Sequence, residues 1–224
     1  MATFYRPSDG VAADFIPFYR QGRYHLFYLK DYRDGDGKRG YGIGTPWFHL
    51  VTRDFVTFED WGEALSRGTQ EEQDLFVFTG SVIEQEGQFN IFYTGHNHLL
   101  KEKQNRPMQG VMRATSPDLR TWTKTRGFLF LAPAGYEPHD WRDPFVFWND
   151  RAREYWMLLA ARKTTGPSRN RGCVALAASP DLDTWRVREP FWAPDEYFTH
   201  ECPDLFRIGS WWYLVYSTFT ERCV

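Results

Sequence analysis

Cysteine is scarce in this chain. Its 224 residues include only Cys173, Cys202 and Cys223, with no CxxC spacing. That pattern argues against a disulfide framework and against a thiolate zinc site, and leaves three free thiols. The six histidines, His25, His49, His96, His98, His139 and His200, form no HExxH or similar ligand spacing, so no protein-bound metal and no cofactor are expected. DGDG at Asp34 to Gly37 lacks the rest of a calcium loop, including its acidic twelfth position, and reads as a turn. Long apolar runs are missing too: nothing approaches the roughly 18 residues of a membrane span. The amino end, MATFYRPSDG, has no basic segment followed by an apolar one. A soluble, cytoplasmic protein with no membrane partner is the expectation. Charge of one sign is also absent. The formal net charge is -2, with Lys and Arg interleaved among Asp and Glu, so no basic face for nucleic acid is advertised.

Aromatic residues are plentiful. Ten Trp, 12 Tyr and 19 Phe make 18% of the chain, and 42% of it is hydrophobic, which is ample material for a core. Much of this material repeats. GRYHLFY (Gly22 to Tyr28) returns as GQFNIFY (Gly87 to Tyr93), REYWMLL (Arg153 to Leu159) and SWWYLVY (Ser210 to Tyr216). A second marker, TRDFVTF (Thr52 to Phe58), SPDLRTW (Ser116 to Trp122) and SPDLDTW (Ser179 to Trp185), keeps nearly the same period. Each unit holds about four β-branched or aromatic runs separated by turn residues and lacks a 3.6-residue apolar stripe, so it reads as a four-stranded antiparallel sheet. Sheets repeated in this way make an all-β propeller. The units run from about Val11 to Leu65, Gln73 to Ala132 and His139 to Pro194, and a fourth opens at Phe198. About three and a half blades are expected, in one domain over residues 1–224 that is incomplete at its carboxy end. The stretches Lys30 to Gly44, Ser66 to Gln73 and His96 to Gly110 read as loops on the blade faces.

Aspartates open the first strand of three units: Asp14 in ADFIPFY, Asp143 in RDPFVFW and Asp204 in PDLFRIG. First strands line a propeller's channel, so these acids converge on one axis, with Glu201 three residues ahead of Asp204. Carboxylates gathered in this way suit acid/base chemistry on sugars. The plain alternative is that they cap strands or accept backbone N–H groups at turns.

At these residues the sequence resembles glycoside hydrolase family 32, the invertase, inulinase and levanase group, which has a five-bladed propeller. WRDPFVFWND (Trp141 to Asp150) and HECPDLF (His200 to Phe206) are similar to its RDP and EC motifs. FTGSVIEQEGQFNIFYTG (Phe78 to Gly95) resembles its FSGS segment, and WFHLVTRDFVTFEDWGEAL (Trp47 to Leu65) its outer strands in the first blade. The resemblance implies that Glu201 is the general acid/base, Asp143 the carboxylate that binds sugar hydroxyls and steadies the transition state, and Asp14 the nucleophile. An acid must hold its proton near neutral pH, and a nucleophile must stay ionised. Carboxyl groups about 5 to 5.5 Å apart give retention, and a wider gap that admits water gives inversion.

The family's nucleophile sits in a Trp-Met-Asn-Asp-Pro-Asn-Gly run, whereas Asp14 stands in VAADFIPF. Counting back from GRYHLFY places Asp14 within one residue of the family position, and Asp9 is the weaker candidate. The simpler start is closer to related propeller families that act on arabinofuranosides. No carboxy-terminal β-sandwich of the kind found in family 32 is legible in the chain.

Arg142 either hydrogen-bonds sugar hydroxyls or pairs with a carboxylate. Trp47, Phe78 and Trp141 are either apolar walls against a sugar ring or core residues. Ser81 either reaches a hydroxyl or ends a strand. Cys202 lacks a basic partner and reads as a small buried neighbour of Glu201. The leading expectation is a glycosidase acting on a terminal furanoside, of the β-fructofuranosidase type. An arabinofuranosidase, a silent carbohydrate-binding propeller and a protein-interaction propeller stand as alternatives, and a small carbohydrate is the expected partner.

Overall fold

The structure is a computed structural model and describes residues 5–31 and 45–220. The turn at Asp34 to Gly37, most of the loop from Lys30 to Gly44, and Cys223 lie outside the described residues.

Among the described residues four sheets follow one another along the chain. The first holds β1 (Val11–Arg20), β2 (Arg23–Asp31), β3 (Trp47–Thr52) and β4 (Glu59–Leu65). The second holds β5 (Phe76–Gln85), β6 (Gln88–His96), β7 (Gln109–Ser116) and β8 (Thr123–Lys124). The third holds β9 (Tyr136–Asn149), β10 (Glu154–Lys163), β11 (Gly172–Ser179) and β12 (Arg186–Val187). A fourth pairs β13 (Thr199–Ile208) with β14 (Trp211–Phe219). Every pairing is antiparallel between consecutive strands, the meander that the repeat predicts.

Both repeated sequence markers have a local cause. The GxxxxxY copies begin at hairpin turns. Gln21 and Gly22, and likewise Glu86 and Gly87, all have positive φ, which is the primed turn that follows the twist of the flanking strands. The second marker is a side-chain-capped corner. The Ser179 hydroxyl accepts the Asp181 and Leu182 N–H groups while the Asp181 carboxylate accepts those of Asp183 and Thr184. Thr52 with Asp54 and Ser116 with Asp118 do the same, and these backbone donors hold the carboxyls of Asp54, Asp118 and Asp181 below the usual range.

The core lies between blades. Ile16, Phe27 and Trp47 pack on Val77, Ile91 and Tyr93, and Phe92 and Val111 pack on Trp141, Met157 and Leu159. β2 is buried along most of its length: Phe27 and Leu29 face the second blade, and Leu26 and Tyr28 pack with Leu50, Phe48 and Phe58 of their own sheet and with Tyr5. The innermost strands β1, β5, β9 and β13 touch in succession. Truncating Trp141 to Ala should lower stability by about 3–5 kcal/mol, read as a fall in the urea midpoint; a change below about 1 kcal/mol would show that the interblade core does not depend on it.

One loop is partly helical. Within His96 to Gly110 the chain forms α1 (His98–Gln104), N-capped by Asn97, whose side chain accepts the Leu99 N–H at 3.0 Å. Only Leu100 of that helix is buried, so no apolar stripe announced it in the sequence.

Candidate active site

Each innermost strand breaks its ladder at the same place. Two residues face one on the neighbouring strand: Asp14-Phe15 between the pairs Ala13–Leu29 and Ile16–Phe27, and Asp143-Pro144 between Arg142–Ala160 and Phe145–Leu158. Thr79-Gly80 in β5 and Cys202-Pro203 in β13 repeat the bulge. Asp14, Asp143 and Cys202 have φ of 45°, 57° and 49°, a left-handed conformation that costs a non-glycine residue energy and is characteristic of bulges that re-aim a side chain. At Gly80 a Cβ would collide with the Phe92 carbonyl. The bulges face Tyr28, Tyr93 and Tyr216 in three blades and Leu159 in the other, the last position of each copy of the repeat.

This register corrects one expectation. The residue of β13 equivalent to Asp14 and Asp143 is Cys202, and the acids stand at mid-strand bulges, not at strand starts. Asp204 lies two residues further on, in register with Ile16, Ser81 and Phe145. Those side chains are directed between blades: Ile16 packs on the second blade, Ser81 bonds to the third, and Phe145 packs toward the fourth.

Hydrogen bonds link the four bulges in a chain. The Thr79 hydroxyl donates to Asp14. The Thr94 hydroxyl donates to the Thr79 carbonyl at 3.0 Å and accepts the Asp143 N–H at 2.7 Å. The Cys202 N–H donates to the Asp143 carboxylate at 3.0 Å. The carboxylates of Asp14 and Asp143 thus sit in one connected structure, and that of Glu201 joins it through Arg142.

Glu201, Arg142 and Phe78 stand immediately before their bulges. Arg142 is 9% exposed and pairs with Glu201 at 2.8 Å through Nη2 and with Asp140 at 2.9 Å through Nη1; its Nε lies 3.7 Å from Asp143. It also donates to Thr199 at 3.1 Å and to Gln109 at 3.4 Å. Arg142 therefore resolves toward carboxylate pairing. Burial works against its charge, but Asp143, Asp140 and Glu201 together keep the guanidinium ionised. Asp143, 6% exposed, has its carboxyl pushed up to about 6, first by burial and then by the charges of Glu201 and Asp14, against the opposing pull of Arg142 and the Cys202 N–H. Burial and the neighbouring carboxylates raise the Cys202 thiol as well, so it stays protonated and is no nucleophile. Asp9, the weaker nucleophile candidate, precedes β1 and pairs with Lys30 at 2.7 Å.

Three proposed sugar contacts are corrected. Trp47 is fully buried, and its indole N–H donates to the Phe78 carbonyl at 3.2 Å, bracing the strand from behind. Trp141 is fully buried among Phe130, Tyr136 and the interblade core. Strand alternation explains this, since Asp140 and Arg142 take the channel face and send Trp141 to the other. The Ser81 hydroxyl donates to the Pro144 carbonyl at 2.8 Å and accepts the Val146 N–H at 2.9 Å, a tie between blades two and three. Phe78 alone remains half-buried, stacked on His96 with centroids 4.7 Å apart.

The model of the glycosyl hydrolases family 32 N-terminal domain matches residues 7–219. The chain belongs to glycosyl hydrolase family 32. It is 29% identical over 206 residues to a levanbiose-producing levanase of Bacillus subtilis, covering 87% of this chain and 34% of that enzyme. To a raffinose invertase of Escherichia coli it is 28% identical over 206 residues, covering 89% and 39%. The chain thus spans well under half the length of these relatives. Among solved structures, the family 32 β-fructofuranosidase of Bombyx mori superposes with a TM-score of 0.75 at 23% identity, covering 94% of this chain and 42% of its own. Fructan 1-exohydrolase IIa of Cichorium intybus superposes at 0.71 and 24% identity, covering 90% and 36%. The sheets described above are thus part of a five-bladed propeller of the family 32 kind.

The sequence reading missed Thr79, Thr94, Gln109, Asp140 and Thr199. Two of them were within its reach. Thr79 holds the bulge position that Asp14 and Asp143 mark, and Asp140 lies two residues before Arg142 on the same strand face. Gln109, Thr94 and Thr199 come from tertiary approach and carry no local signal.

Proposed function

We propose that this chain carries the reacting face of a β-fructofuranosidase-type glycosidase. In this reading Asp14 attacks the anomeric carbon of a terminal fructofuranosyl unit. Glu201 donates a proton to the leaving oxygen and then takes one from water, and Asp143 binds ring hydroxyls and steadies the oxocarbenium-like transition state. Phe78 walls the sugar, and Arg142 orients Glu201. The observation that carries the reading is the shared bulge. Asp14 stands in the same register and the same left-handed conformation as Asp143, although its flanking sequence departs from the family pattern. The named activities of relatives, levanase, raffinose invertase and sucrose-6-phosphate hydrolase, point to fructosides, and a silkworm relative is seen with sucrose.

The test is hydrolysis of sucrose, a levan or inulin oligomer and aryl arabinofuranosides, with the first-formed anomer followed by NMR. Turnover of a fructoside that releases β-fructofuranose first is expected. Release of the α-anomer would replace double displacement with inversion, and turnover confined to arabinofuranosides would move the substrate class.

A further inference from the structure

Asp140 has no role in the chemistry above, yet it grips the guanidinium that Glu201 relies on. Arg142 presents Nη1 to Asp140 at 2.9 Å and Nη2 to Glu201 at 2.8 Å. A guanidinium is a rigid planar fork, so fixing one side aims the other. Asp140 is itself held from behind. Its second oxygen lies 3.6 Å from Nε of Arg162, a side chain 2% exposed. Arg162 is pinned by Glu137 at 3.1 Å and by the carbonyls of Phe198 at 2.6 Å and Ser168 at 3.0 Å. Arg171 closes the series on Glu137 at 3.0 Å. The acid at the channel is thereby joined, pair by pair, to a rigid arginine in the next strand.

We propose that Asp140 is a positioning residue: through Arg142 it aims the guanidinium at Glu201 and sets how much positive charge Glu201 and Asp143 experience. The proposal rests on the furanosidase reading of this site. The groups facing the Asp140–Arg142 pair are Glu201 and Thr199 from β13, Asp143 and Glu137 from β9, Arg162 from β10, Gln109 from β7 and His96 from β6. Asp14 from β1 adds its charge at Asp143. Removing the charge of Asp140 leaves Arg142 less compensated, which favours the ionised form of every carboxylate that Arg142 faces.

The deciding comparison is wild type against Asp140→Asn and Asp140→Glu in the full chain. Asp140→Asn should move the basic limb of the kcat profile down by about 0.5–1 pH unit and lower kcat at pH 7.5 by about tenfold, with KM within about threefold. Asp140→Glu, which keeps the charge, should return the limb toward the wild-type position. An unchanged limb in Asp140→Asn, with only a lower melting temperature, would reduce Asp140 to a packing role. If Asn does not fold, Asp140→Ser takes its place. The carboxyl carbon of Asp143, titrated by NMR in the same proteins, gives an answer that needs no turnover: its midpoint should fall by about 0.5 unit on loss of the Asp140 charge, and an unmoved midpoint overturns the proposal. A wild type that hydrolyses no furanoside would overturn the furanosidase reading, while the titration still decides the role of Asp140.

Discussion

Glu201→Gln is expected to lower kcat/KM for a fructoside with an alkyl or sugar leaving group by about a thousandfold, and to do far less to kcat/KM for an aryl fructoside whose phenolate departs unaided. The contrast follows from the division of labour in the site. In the first step, which kcat/KM reports, Glu201 acts on the leaving oxygen, and that help matters only where the oxygen needs a proton. Gln keeps the length and an acceptor for the Arg142 bond of 2.8 Å, so the local geometry survives while the proton is lost. Asp14→Asn should behave differently. It removes the atom that forms the covalent bond, and turnover should fall by roughly 10⁴-fold or more whatever the leaving group. The kcat/KM values for sucrose and for an aryl fructoside, measured in both variants, separate the roles. Equal losses on the two substrates would deny Glu201 its part as the acid. Asp14→Asn activity above about a tenth of wild type would move the nucleophile away from the first bulge, and Asp9, paired with Lys30 outside the strand, would not be a ready replacement.

The propeller was legible because its signals are local and periodic. Turn pairs such as Gln21-Gly22 and capped corners such as Ser179 to Thr184 are written in adjacent residues, and they recur. Asp14, Asp143 and Glu201 were legible from their motifs and from the repeat. The register was not. Asp204 follows a Pro as a strand start does, and nothing in ECPDLF says that the bulge falls at Cys202-Pro203, two residues earlier. A one-residue bulge changes which side chains face the channel, and it is visible only in cross-strand pairing. The aromatic walls failed for a related reason. Trp47 and Trp141 look like sugar platforms by residue type, but interblade packing consumes large apolar side chains, and facing is decided by alternation from Arg142. Ser81 was misread because its partners, Pro144 and Val146, lie more than 60 residues away.

Asp143→Asn should make the protein more stable and inactive at once. The Asp143 carboxyl is raised to about 6 in the folded chain, chiefly by burial, against about 3.9 in an unfolded one. The folded state therefore holds the proton more tightly. Between about pH 4 and pH 6 folding takes up a proton, so this group makes stability fall as pH rises, and the cost is complete above about pH 6. A shift of about two units corresponds to about 3 kcal/mol. Asn presents no charge to bury and still accepts the Cys202 N–H, while Arg142 keeps Glu201 and Asp140. Urea midpoints should accordingly show Asp143→Asn gaining about 1–3 kcal/mol over wild type at pH 7.5 and nothing at pH 4. A loss at pH 7.5 would mean that the Arg142 pairing outweighs burial. Turnover should fall in parallel, since a neutral amide offers no charge to the developing oxocarbenium ion. Opposite signs for stability and activity from one substitution mark a carboxylate kept ionised at the expense of the fold, a cost that packing alone gives no reason to keep.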